Sequence, residues 1–269
     1  MSKAVTTFNP LTQKVYISAT TRAKHSRLIG LIKDKECTMG RSTEILADAR
    51  KEGRKSLLEP EAKSVCQEYG ISVARFRFAG TEEETTIYAK EMGFPVVLKI
   101  VSTDIVHKSD VGGVMVNLKT TSEVRMAYKT ILTNVKRHKP KADILGMVVQ
   151  EMAPPSTEVI VGAIKDDQFG PTLMFGLGGI FVEVLEDVAF RIAPVTRQEA
   201  ELMISEIKAY PVLKGYRNHP LLDTDAIAEI IVNTSKLVIE HEEIRELDLN
   251  PVLVYEKGAK TVDARIILE

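Results

Sequence analysis

From about residue 42 onward, apolar residues recur at helical and strand periods, separated by polar and glycine punctuation. Ser42 or Thr43 predicts the cap of a helix through Glu44, Ile45 and Leu46 to Arg50 and Gly53. Pro60 suits the first turn of a second helix, and Gly70 suits its end. Ile71 to Phe78, rich in β-branched and aromatic residues, predicts a strand. Thr81 to Glu84 has the form of a capping box and opens a helix that Gly93 and Pro95 end. Val96 to Val101 is an apolar strand interrupted by Lys99, and Gly113 to Leu118 is a further strand. Thr120 and Glu123 cap a helix reaching about His138. Ile144 to Glu151, Glu158 to Ile164 and Thr172 to Phe175 predict strands, with a glycine loop at Gly176-Leu177-Gly178-Gly179 and a β-rich stretch to Pro194. Two helices follow, one capped by Thr196 and Glu199 and running through Ile207, the other from about Asp225 to Glu240. Strands Arg245 to Tyr255 and Thr261 to Leu268 close the chain.

Strands often follow one another without an intervening helix, which argues against a simple doubly wound sheet. The pattern predicts an α+β protein of two lobes with antiparallel or mixed sheets and a boundary near Leu145. The expected organisation is an N-terminal extension over 1–41, one lobe over 42–145 and a second over 146–269. Ligands favour the cleft between such lobes.

Composition narrows the function. With 269 residues, 44% of them hydrophobic, the chain can bury a full core. The 36 Lys and Arg against 37 Asp and Glu leave no overall field to favour nucleic acid or an anionic membrane, so any basic site is local. Cys37 and Cys66 lack metal-ligand spacing and are expected as reduced thiols. No apolar run is long enough to span a bilayer and no secretory signal opens the chain, so the expected compartment is the cytoplasm. Residues 1–33 hold six Lys and Arg and no acid, a composition that suits either an organelle transit peptide or a loosely attached extension.

Several residues carry candidate chemistry. In the strand Glu246-Leu247-Asp248-Leu249-Asn250-Pro251, alternation puts Glu246, Asp248 and Asn250 on one face. If the two closing strands pair as a hairpin, Asp263 lies beside Asn250, giving hard oxygen donors suited to Mg²⁺. The competing reading is a solvent-facing polar row. Lys99 sits among apolar neighbours, and its buried ammonium needs a partner such as a phosphate. In the following loop Gly112 and Gly113 allow backbone N–H groups to approach an anion closely, although the loop is not a Walker A sequence. A salt-bridged strand lysine and a hairpin turn would explain the same residues. Gly176 to Gly179 fails the dinucleotide fingerprint, and turn chemistry accounts for it equally well. Glu151 and Met152 end a strand before Pro154-Pro155, where they could meet a purine or simply link two lobes.

In combination these features fall in the order of an ATP-grasp domain. Pro95-Val96-Val97-Leu98-Lys99-Ile100-Val101-Ser102, then His107-Lys108-Ser109-Asp110-Val111-Gly112-Gly113-Val114, then Met174 to Glu183 resemble the β subunit of ADP-forming acetate–CoA ligases. The resemblance covers roughly residues 55–269 and leaves the first 40 or so without a counterpart. It implies the reaction acyl-CoA + ADP + phosphate ⇌ acid + CoA + ATP, with ATP or ADP and Mg²⁺ as cofactors. It also implies a CoA-binding α subunit as partner in an α2β2 heterotetramer. By the same resemblance Lys99 contacts nucleotide phosphates, Glu151 and the Met152 backbone meet the adenine, and Glu158 reaches the ribose. Asp248, Asn250 and Asp263 take the Mg²⁺ side, and His107 is a phosphohistidine that passes the phosphoryl group to ADP. A succinyl-CoA synthetase β chain and a non-catalytic nucleotide sensor are the rival readings, the former disfavoured by His107 and the Gly176–Gly179 stretch.

Overall fold

Helix α1, Arg41–Lys51, turns Ile45, Leu46 and Ala49 toward the core. Ser42 lies inside this helix rather than capping it: its N–H and hydroxyl both donate to Glu68 at 2.7 Å, and Gly40 takes the cap position. Helix α2, Glu59–Glu68, has Pro60 in its first turn, and the Glu61 carboxylate accepts the Leu58 N–H at 2.8 Å. Gly70, at φ +74°, ends it in the left-handed region. The computed structural model describes residues 40–105, 107–179, 186–215 and 220–269. The expected N-terminal extension, apart from its last two residues, lies outside the described residues, as do Cys37 and the Ile180–Glu183 end of the glycine motif.

The strand expected from Ile71 begins only at Phe76. Ser72 and Ala74 instead bond the backbone of Thr261, so this segment crosses from one sheet to the other. β1, Phe76–Ala79, leads to α3, Glu82–Met92, where the Thr81 hydroxyl accepts the Glu84 N–H at 3.1 Å. β2 (Val96–Ser102), β3 (Val114–Leu118), α4 (Thr121–His138) and β4 (Ile144–Glu151) complete a four-stranded antiparallel sheet in the order β1-β4-β2-β3. α3 and α4 cover one face of it, with Val124, Ala127, Ile131 and Val135 on Leu98, Ile100 and Met147. Lys99 pairs across with Val148 and points to the opposite face.

The second sheet contains β5 (Thr157–Asp166), β6 (Gly170–Leu177), β7 (Val188–Ile192), β8 (Ile244–Val254), β9 (Ala259–Thr261) and β10 (Ala264–Leu268). Its order is β10-β8-β5-β6-β7, with β9 paired to the end of β8. Gly176 and Leu177 are still strand, so the strand runs two residues further than expected. Helices α5 (Arg197–Glu206), α6 (Tyr210–Leu213) and α7 (Thr224–Glu240) pack on this sheet. Burying each large aliphatic of that core, Ile231 or Leu237 for example, contributes roughly 1.5–3 kcal/mol.

The lobes divide differently from the expected 42–145 and 146–269. Gly146 lies inside β4, which pairs with β1 and β2, so the first sheet ends only after Glu151. α1 and α2 bury Ile45, Leu46, Ala62, Val65 and Cys66 in the core of the second sheet. Their apolar faces match that larger core, whereas α3 and α4 already cover the smaller sheet. Among the described residues no helix is long and apolar enough to cross a membrane.

Candidate functional site

The two closing strands do pair, which was the condition for Asp263 to lie beside Asn250. Asp248 is opposite Arg265, and the Asn250 N–H donates to Asp263 O at 3.3 Å. The expected single strand Thr261–Leu268 is broken at Val262 and Asp263, and this break carries the Asp263 side chain to the lobe interface. Asp248, Asn250 and Asp263 line a cavity of about 770 Å³ between the two sheets, with His107 and Lys108 among its other walls. The polar row therefore faces a cleft rather than open solvent.

The chemistry of this row fits a hard divalent cation. Burial pushes the Asp248 carboxyl above its usual range, with Arg265 opposing and Glu246 and Asp263 adding to the rise. Burial also raises Asp263, helped by Glu59 and opposed by Lys99. Two acids driven toward protonation beside a carboxamide are relieved by a cation that prefers oxygen ligands. Among the described residues no group of three or more His, Cys, Asp or Glu could hold a metal; beside Asp248 and Asp263 a third oxygen would have to come from the Asn250 amide.

Lys99 is 5% exposed, and its partner is a residue the sequence did not single out. Its ammonium lies 2.7 Å from Glu59 Oε1, donates to Val262 O at 3.2 Å and is 3.7 Å from Asp263. Glu59 also takes Lys63 at 2.8 Å and, on Oε2, Lys108 at 3.1 Å. Burial alone would raise the Glu59 carboxyl, but Lys63, Lys99 and Lys108 hold it well below the usual range. Burial pushes Lys63, which is 0% exposed and also donates to Gln150, down to about 8 despite Glu59. One signal in the sequence pointed here: Lys63 lies in a helix between Ala62 and the buried Val65 and Cys66, so like Lys99 it required a buried anion.

Of the two readings of the glycine pair, an anion cradle or a hairpin turn, the geometry fits the turn. The Gly112 N–H donates to Ser109 O at 3.0 Å and the Gly113 N–H to Lys108 O at 2.7 Å, so both close the turn after His107 instead of facing an anion. Gly112 sits at φ +62°, and a Cβ on Gly113 would lie 2.6 Å from Ile100 Cγ2 and 2.9 Å from Lys108 O. These glycines are needed for shape.

Glu151, Met152 and Glu158 do not line the cavity. The Glu151 carboxylate accepts the Arg75 N–H at 2.9 Å, Arg75 Nε at 2.7 Å and Lys260 Nζ at 2.7 Å. Against the effect of burial, these donors hold it down to about 2. The Met152 N–H donates to Pro95 O at 3.2 Å. Both groups expected at the purine are thus engaged within the protein. Glu158 is exposed at the start of β5, and its O accepts the Gly178 N–H at 2.8 Å. Glu151 pairs with Val96, three residues along β2 from Lys99, or about 10 Å. That is of the order of a nucleoside's length.

The chain matches the ATP-grasp domain family over residues 48–268. It is 50% identical over 230 residues to the β subunit of acetate–CoA ligase [ADP-forming] I of Pyrococcus furiosus, covering 86% of this chain and 99% of the relative. It is 44% identical over 228 residues to 4-hydroxybutyrate–CoA ligase [ADP-forming] of Nitrosopumilus maritimus, covering 84% of this chain and 33% of that longer protein. Among solved structures it is similar to acetyl-coenzyme A synthetase 1 of Ca. Korarchaeum cryptofilum in complex with coenzyme A and Ca-AMPCP: 55% identity, TM-score 0.83, 85% of this chain and 100% of that one. A second structure of that synthetase, at 51% identity, TM-score 0.76 and the same coverage, holds coenzyme A and Mg-AMPPCP, with a phosphohistidine segment pointing towards the nucleotide binding site.

Proposed function

This chain belongs to the ATP-grasp family and, within it, to the β subunits of ADP-forming acetate–CoA ligases, and from that premise we propose that its cleft is the nucleotide half of an ADP-forming acyl-CoA synthetase. The net reaction is acyl-CoA + ADP + phosphate ⇌ acid + CoA + ATP, shared with a CoA-binding α subunit. The observation that supports this reading best is that His107 and the Asp248, Asn250 and Asp263 row line one cavity.

In this reading His107 is the phosphoryl carrier. Its exposed imidazole takes the phosphoryl group delivered by the α subunit and hands it to ADP. The P–N bond breaks, its electron pair returns to the ring, and a terminal oxygen of ADP forms the new P–O bond. Lys99, three residues along β2 from the end where the purine lies, moves part of its charge from Glu59 and Asp263 to the phosphates. Asp248, Asn250 and Asp263 would hold Mg²⁺, which when bound supplies charge neutralisation to the phosphate oxygens. At the purine end Glu151 and the Met152 backbone remain the proposed contacts, and a purine bound there displaces the internal partners they now hold, Arg75 and Lys260 on the carboxylate and Pro95 O on the Met152 N–H. Glu158 faces the ribose.

Relatives at 50% and 44% identity are named for acetate and for 4-hydroxybutyrate, which supports placing acyl selection outside this subunit. The proposed assembly is α2β2, in the cytoplasm, with Cys66 a buried free thiol. Incubating the reconstituted complex with acetyl-CoA and labelled phosphate, without ADP, is expected to leave acid-labile label on this chain, lost in His107→Ala. Label confined to the α subunit, together with full activity of His107→Ala, would overturn the proposal.

A further inference from the structure

The Glu59 carboxylate is shared unequally. Oε1 receives Lys63 and Lys99, while Oε2, fully buried, has no hydrogen-bond partner of good geometry, and Lys108 at 3.1 Å is the cation that faces it. Glu59 rides on α2, whose apolar face is fixed in the core of the second sheet. Lys108 follows His107 directly in a loop that leaves β2 of the first sheet. Ile105 and Val111 are buried and fasten the loop at either side, so the exposed His107 and the half-buried Lys108 form its adjustable stretch. A buried carboxylate oxygen left without its cation is costly. The loop is therefore drawn to the arrangement in which Lys108 reaches across the lobes, and that arrangement is the one with His107 in the cavity wall.

Building on the function proposed above, we propose that Glu59 is a positioning residue: through Lys108 it holds the loop so that His107 faces the nucleotide side of the cleft. It touches neither the phosphoryl group nor the nucleotide. The three lysines gathered at Glu59 face two acids, Glu59 and Asp263, so the cluster keeps an excess positive charge. Arriving phosphates can draw on Lys99 without stripping Oε2 of Lys108.

The test is a double-mutant cycle in the assembled complex with Lys108→Met and Glu59→Gln. Transfer from phosphorylated His107 to ADP is followed in single turnovers, with ADP affinity measured in parallel. Lys108→Met is expected to slow transfer about tenfold while moving ADP affinity less than about twofold, and Lys108→Arg restores most of the rate. In the Glu59→Gln background the same Lys108 change costs less than about twofold, because the contact is already broken. A full loss in both backgrounds would mean that Lys108 acts on the phosphoryl group directly, and an unchanged rate in Lys108→Met would also overturn the inference. Should Glu59→Gln fail to fold, Glu59→Asp, which withdraws the carboxylate by one methylene, takes its place in the cycle. Absence of phosphohistidine in the parent complex refutes the functional reading itself; phosphohistidine of normal yield without coupling refutes only the role of Glu59.

Discussion

Replacing Gly113 with alanine separates two readings of the turn after His107. A phosphate cradle needs the Gly113 N–H, which alanine keeps, whereas the observed turn needs the absence of a side chain. The added Cβ would sit 2.6 Å from Ile100 Cγ2, on a fully buried side chain, and 2.9 Å from the Lys108 carbonyl that accepts the Gly113 N–H. Neither neighbour is the free end of a flexible chain. Overpacking costs about 1–3 kcal/mol, and a weakened Gly113 to Lys108 hydrogen bond adds about 1 kcal/mol. The sum, roughly 2–4 kcal/mol, lowers Tm by roughly 4–16 °C for a chain of this size. Thermal unfolding of the isolated chain reads this directly, and the labelling assay shows whether His107 still accepts phosphate when its turn is displaced. An unchanged Tm would refute the steric argument.

Asp263→Asn is expected to weaken Mg-nucleotide binding by at least about tenfold with a much smaller change in Tm; titration calorimetry and thermal unfolding compare the two, and equal losses would make the residue structural. Glu151→Gln tests the tie between Arg75 and Lys260. The folded carboxyl lies at about 2 against a usual 4.5, so its stabilisation is complete above 4.5 and fades as pH falls toward 2. Urea midpoints measured downward from pH 6 should therefore fall less steeply in the variant, and identical slopes would refute the assignment.

The features legible in the sequence were those whose partners lie close along the chain. Thr81, Thr120 and Thr196 cap helices through N–H groups three residues away, and the composition of those few residues announces it. Asn250 and Asp263 could be put side by side only on the condition that the closing strands pair, and they do. Glu59 escaped notice because Lys99 lies in the other sheet and Lys108 in the loop that leaves it, and an acid in a first helical turn looks like an ordinary dipole partner. The lobe boundary escaped for a related reason: the amphipathic faces of α1 and α2 state that they are buried but not against which sheet. Gly112 and Gly113 were read either as an anion turn or as a hairpin turn, because permissive backbone serves a tight turn as readily as an anion.

The residues from Phe76 to Glu151 enter and leave the rest of the molecule side by side, since Phe76 pairs with Gln150 and the Glu151 N–H donates to Arg75 O at 2.9 Å. Topologically the smaller sheet is an insertion carried on a two-strand neck. Any opening of the cleft bends the backbone at this one crossing, and the Glu151 carboxylate, joined there to Arg75 on the neck and to Lys260 on the larger lobe, works as its clasp. The lever that governs access to His107 is then at the Glu151 neck, and whatever loosens or tightens that clasp also sets how far the cleft can gape.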